Sequence, residues 1–169
     1  MDHREHHQSS IVRAVGNVNQ LIADTNDRQS IIDGVCRALT EVPRYRSCWV
    51  VLIDEQYHPI LWAESGVGEE YGVMLARLAR DGELPACALR AIDTPVVVSL
   101  TSIRELCDAC SLQHLFPTEG ALCFRLAFDE RVYGIMCVVV QHDVVHDAFE
   151  TDLLTRLTGE LACALHRAT

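Results

Sequence analysis

"GALCFRLAFDERVYGIMCVVVQ", residues 120–141, decides the fold of this chain. In its first half Ala121, Cys123, Arg125 and Ala127 alternate with Leu122, Phe124, Leu126 and Phe128. That is the two-residue period of a strand, with the larger apolar side chains on one face. Asp129-Glu130 supplies a short turn, and "RVYGIMCVVVQ" is a second run of strand formers. Two strands joined this closely form an antiparallel hairpin.

Upstream lies a second pair of the same kind. "RSCWVVLID" (46–54) and "HPILWAES" (58–65) flank a turn at Glu55-Gln56-Tyr57, and "PVVVSL" (95–100) is a further short strand. Helical spacing frames these strands on both sides. Ile11, Val15, Val18 and Ile22 draw a narrow stripe, and after "ADTNDRQS", where Asp27 or Ser30 can cap, Ile31, Ile32, Val35, Cys36 and Leu39 form a second amphipathic helix ending near Pro43. From Asp147 onward Phe149, Leu153, Leu157, Leu161 and Leu165 recur every four residues. "GVGEEYGVMLARLARDGELPACALRAIDTP" (66–95) opens at glycines and carries Met74, Leu75, Leu78 and Ala79 at helical spacing before breaking at Asp81-Gly82 and Pro85.

Hairpins without regular βαβ alternation predict an α+β domain, a central antiparallel sheet with helices on its faces. The expected layout is a disordered terminus over 1–8 and one domain over 9–169. Within it, helices fill 8–42, the sheet spans 46–142 with a helical excursion over 67–118, and a closing helix fills 147–168.

Composition narrows the function. The 169 residues are 49% hydrophobic and 22% charged, and no apolar run approaches the roughly 20 residues that span a bilayer. "MDHREHHQSS" lacks the apolar core of a secretory signal, so a cytoplasmic location and reduced cysteines are expected. A net charge of −10 disfavours nucleic acid. All fourteen basic residues are arginine, which removes P-loop, Schiff-base and kinase-lysine chemistry.

The stretch "CDACSLQHLFPTEGALCFRLAFDERVYGIMCVVV" followed by "HDAFETDLLTRLTGELACAL" resembles a GAF domain. It has that family's strand, acidic turn, Tyr-Gly-Ile-Met at the head of the next strand, loop ending in Phe and long closing helix. The leading helices and "SCWVVLID" match the family's first half. The C-x-x-C also looks like a variant found in GAF domains of bacterial sensory histidine kinases, beside PAS modules. The resemblance implies a PAS-related antiparallel sheet of about six strands, with terminal helices on one face and a ligand pocket on the other under the excursion. It implies no single ligand or cofactor. The NKFDE signature of cyclic-nucleotide binders and the Cys-His dipeptide that attaches bilins are both absent.

Cys107-x-x-Cys110-x-x-x-His114 leaves three readings open. On a helix these positions share one face and could hold zinc, with Cys87 or Cys123 as a fourth ligand, yet C-x-x-C alone is half a signature. A redox pair needs a low-pKa thiolate. Arg104 favours one, and Glu105 and Asp108 oppose it. Third, these cysteines can be small buried hydrophobes lining the pocket wall, as Cys36, Cys48, Cys123, Cys137 and Cys163 are by their place in strand and helix patterns. Trp62 and Tyr71 flank the pocket and can stack on a flat ligand.

The resemblance therefore implies a non-catalytic sensory input domain for a small molecule or redox state. It would be covalently joined to an output, PAS or kinase domain and paired as a homodimer through its terminal helices, the chain being a fragment of a longer kinase. The alternatives are an enzyme, since some GAF domains reduce free methionine-R-sulfoxide with pocket cysteines, and a structural zinc domain.

Overall fold

The structure, a computed structural model, describes residues 3–69, 71–74, 80, 84, 86–103 and 116–168. Helix α1 (His3–Asp24) begins inside the stretch expected to be disordered and leads into α2 (Arg28–Thr40). Of the two candidate caps it is Asp27 that caps α2, accepting from the Ser30 amide (2.9 Å) and hydroxyl (2.7 Å). Those bonds hold its carboxyl below the usual carboxylate range. Strands β1 (Tyr45–Ile53) and β2 (Pro59–Ser65) follow, then helical residues at 71–74 and helix α3 (Ala86–Asp93). Strands β3 (Val98–Leu100), β4 (Glu119–Phe128) and β5 (Arg131–Gln141), a 3-10 turn (Val144–His146) and helix α4 (Ala148–Arg167) complete the order.

The strands form one antiparallel sheet in the order β2-β1-β5-β4-β3. This is the α+β architecture expected, with five strands among the described residues rather than about six. The period-two pattern divides the core between the sheet's two faces. Cys48, Val50, Leu52, Leu122, Phe124, Leu126, Met136, Val138 and Val140 pack against α1, α2 and α4. Trp49, Val51, Ile53, Ala121, Cys123, Ile135, Cys137 and Val139 pack on the other side with Tyr71, Met74, Cys87, Ala88, Ala91 and Ile92.

The apolar stripes of the terminal helices serve this core. Ile11, Val15 and Val18 of α1 and Leu157, Leu161 and Leu165 of α4 are buried against the chain's own sheet and helices. These side chains are already covered within the chain itself, and one apolar face cannot cover two neighbours at once.

Two backbone features set the register of the central hairpin. Asp129 (φ 53°) and Glu130 (φ 65°) are both left-handed, as a two-residue type I′ turn demands. Beyond it the pairing shifts between Leu126 and Ala127. Ala127 faces Val132 but Leu126 faces Gly134, so Tyr133 is one extra residue on β5, a bulge. Gly134 passes so close to β1 that a Cβ there would lie 2.2 Å from the Val51 carbonyl oxygen. That contact explains the glycine in Tyr-Gly-Ile-Met.

Candidate functional site

The face of the sheet turned away from the terminal helices carries the candidate site. Its centre is a lateral row, one residue from each strand, read directly from the register. Glu64 (β2) pairs with Trp49 (β1), Trp49 with Cys137 (β5), Cys137 with Cys123 (β4), and Cys123 with Val98 (β3). Residues directly opposite across a ladder share a face, so the row is a continuous floor.

Glu64 at one edge of the row, and Arg125 two residues along β4 from Cys123, anchor the segments that lie over it. Glu64 Oε2 accepts from the amides of Val67 (3.1 Å) and Gly68 (3.2 Å), tying down the turn that opens the excursion. Gly66 in that turn has φ +86°, and a Cβ would lie 2.3 Å from the Arg46 carbonyl. Five residues on, Tyr71 is buried, donates from its phenol to the Val50 carbonyl (3.1 Å) and sets its ring 6.1 Å from that of Trp49. Burial, with nearby thiols adding to it, pushes the Tyr71 phenol well above its ordinary value, so it stays a neutral donor. On the other flank Arg125 Nη1 donates to the Ile92 carbonyl in the last turn of α3, where a cation also suits the helix dipole (3.3 Å).

In the middle of the row are two thiols. Cys123 Sγ lies 3.3 Å from Cys137 Sγ, both side chains are buried, and Cys87 of α3 belongs to the same cluster. Around them Ala88, Ala91 and Ala121 are small. Ser47, which pairs with Val139 one step along, is fully buried, and its hydroxyl has no hydrogen-bond partner among the described residues. The floor thus offers soft sulfur, two aromatic rings and one hydroxyl to whatever sits on it, with no charge at its centre.

A different thiol pair lies on the helix side. There Cys48 hydrogen-bonds with Cys36, and that bond together with burial raises the Cys48 thiol well above its usual value. It is a packing residue. At one end of the strands a polar cleft of about 340 Å³ is lined by Arg46, Thr118, Glu119, Gln141, His142 and Asp143. Arg46 Nε approaches Glu119 Oε1 there (3.7 Å), and Arg44 pairs with Asp143.

Of the residues singled out from sequence, Tyr71, Cys87 and Cys123 come together on one face. Trp62 belongs to the same face through its partner Val51 but sits on the edge strand, 44% exposed. Cys107, Cys110 and His114 lie outside the described residues. Among the described residues no group of three or more His, Cys, Asp or Glu side chains is placed to hold a metal. Cys137, Trp49 and Glu64 were not among the sequence candidates. Cys137 reads as strand core because its partner is set by the bulge and not by local pattern.

No protein-family model and no curated protein matches the chain. Solved structures do match its fold. A free methionine-R-sulfoxide reductase from Neisseria meningitidis, in complex with its substrate, superposes with a TM-score of 0.67 at 13% identity, covering 92% of this chain and 87% of that one. The nlh2 GAF domain of A. aeolicus, in an inactive state, gives 0.67 at 7% identity over 95% of this chain and 98% of that one. The GAF domain of a phosphoenolpyruvate-protein phosphotransferase from Coxiella burnetii gives 0.64 at 14% over 94% of each. Identities this low establish architecture alone, and the architecture of this chain is the GAF fold.

Proposed function

We propose that this chain is the sensory input domain of a bacterial signalling protein, occupying residues 9–169 as one unit. A small molecule or an oxidant acts on the floor around Trp49, Tyr71, Cys87, Cys123 and Cys137, and the terminal helices carry the change to a covalently linked output domain, in the two-component case a histidine kinase. One observation carries this reading. The floor and the terminal helices occupy opposite faces of the same five strands, so the sheet is the shared wall between input and output.

A homodimer through the terminal helices then has to use their outer surfaces, where Val12 (52% exposed) and Phe149 (42% exposed) are the large apolar side chains left uncovered. Sedimentation at high concentration tests that part. A monomer throughout removes it. No helix among the described residues is long and apolar enough to cross a membrane.

The second reading is a thiol enzyme that reduces free methionine-R-sulfoxide. It is favoured by the likeness to the Neisseria reductase and by three cysteines gathered on one face. Incubating the chain with free methionine-R-sulfoxide and a thiol reductant separates the two. A sensor gives no turnover, and steady formation of methionine replaces the sensory reading with the enzymatic one. The zinc reading rests on Cys107, Cys110 and His114, and native mass before and after a chelator tests it.

A further inference from the structure

We propose that Cys123 and Cys137 are a redox couple, closed to a cross-strand disulfide by a hydroperoxide. The two are register partners at the centre of the sheet, on the face away from the terminal helices, with sulfurs 3.3 Å apart. A disulfide bond is about 2.05 Å long, so closure asks for a movement of little more than one ångström, within reach of two side-chain torsions and a slight approach of β4 to β5. The fold already holds the partners together, so the second step is intramolecular and outruns capture by a free thiol.

The chemistry balances without a further reactant. One cysteine, as thiolate, attacks a peroxide oxygen. An S–O bond forms as the O–O bond breaks, and the alcohol leaves with the thiol's proton, giving a sulfenic acid. The second sulfur attacks the sulfenic sulfur. The S–S bond forms as the S–O bond breaks, and the hydroxyl departs as water with the second thiol's proton. Two electrons pass from sulfur to the peroxide, and a dithiol reductant reverses the change.

The consequence falls on the residues either side. Cys137 lies between Cys123 and Trp49 in the row, and Trp49 carries Tyr71, so drawing β4 and β5 together acts directly on the anchor of the excursion. This deepens the sensory reading by naming its couple, and rests on that reading for the route by which peroxide reaches the floor.

The lysine-free sequence makes the test clean. Trypsin cuts only after arginine, leaving Cys137 as the one cysteine of residues 132–156, while Cys123 falls in residues 105–125 with Cys107 and Cys110. The native chain is treated with hydrogen peroxide, remaining thiols are blocked, and the digest is weighed. The expected result is a cross-link between these two peptides, lighter by two hydrogens than their sum. It disappears with dithiothreitol, persists in Cys107→Ser/Cys110→Ser, and is accompanied in a Trp62→Phe chain by changed fluorescence of Trp49. Absence of the cross-link, or its loss in the double variant, overturns the couple. Turnover of methionine-R-sulfoxide by a chain that still forms the cross-link overturns the sensory reading and leaves the couple standing. A small molecule retained in the native mass of a chain that forms no cross-link does the reverse.

Discussion

The phenol of Tyr45 donates a 2.9 Å hydrogen bond to Glu150 Oε1, joining the first residue of β1 to the first turn of α4 across 105 positions, with both side chains buried. A buried carboxylate is costly unless it is bonded, and its place beside the α4 amides also suits the helix dipole. Tyr45→Phe removes the donor without leaving a cavity and is expected to cost about 1–3 kcal/mol. Glu150→Gln keeps an acceptor and is expected to cost less. Urea unfolding of the two variants beside the wild type measures the order, and a reversed order refutes it.

Alkaline stability follows from two buried phenols. Burial is the first cause of the raised values of Tyr45 and Tyr71. Glu150 adds to it for Tyr45, and neighbouring thiols add to it for Tyr71. The fold favours the neutral phenol. This contribution is therefore complete below the ordinary phenol value of about 10 and is lost progressively as pH rises above it. Stability measured across that boundary should decline in the wild type and decline less in Tyr45→Phe/Tyr71→Phe. Parallel profiles would show that these phenols are not responsible.

At the β4–β5 turn, Asp129 and Glu130 both occupy the left-handed region, φ 53° and 65°. For residues with a Cβ that conformation costs about 1–2 kcal/mol each. Asp129→Asn/Glu130→Gly supplies the pair that type I′ turns prefer and is expected to stabilise by about 1 kcal/mol. The midpoint of thermal unfolding should rise.

Gly134 faces the opposite constraint. A methyl group there meets the Val51 carbonyl oxygen at 2.2 Å and Leu52 Cα at 2.9 Å, both backbone atoms that cannot swing aside. Gly134→Ala is expected to destabilise by about 3 kcal/mol, because β5 must move away from β1 along their shared ladder. Equal stability of variant and wild type would place β5 farther from β1 than it lies here.

The two tryptophans should separate sharply. Trp49 is 3% exposed in the middle of the row and Trp62 is 44% exposed on the edge. Trp49→Ala is expected to cost about 3–5 kcal/mol, and Trp62→Ala to stay within about 0.5 to 1 kcal/mol. If Trp62 proved the costlier of the two, the assignment of β2 as an edge strand would fall.

Local periodicity determined much of this protein. The alternation of Leu122, Phe124 and Leu126 with smaller residues, the turn at Asp129-Glu130, the second hairpin and the amphipathic helices are each written within a few residues of chain, and they suffice for an antiparallel sheet with helices on its faces. Periodicity states that a face is apolar and leaves open what covers it. The stripes of α1 and α4 accordingly suit a dimer as well as the chain's own core, and only packing assigned them to the core.

The site turned on a subtler point. Counted back from the Phe128–Arg131 pair at the turn, an unbroken ladder sets Cys123 opposite Met136. The single extra residue at Tyr133 moves it opposite Cys137 and turns Ile135, Cys137 and Val139 onto the face away from the helices. A one-residue slip exchanges the faces of every residue beyond it, since side chains alternate. The bulge sits where Gly134 meets the β1 backbone and where the buried Tyr133 hydrogen-bonds to His166 of α4. Both are contacts between segments distant in sequence. The sequence by itself therefore determined that these cysteines lie on strands, and tertiary packing decided that two of them meet.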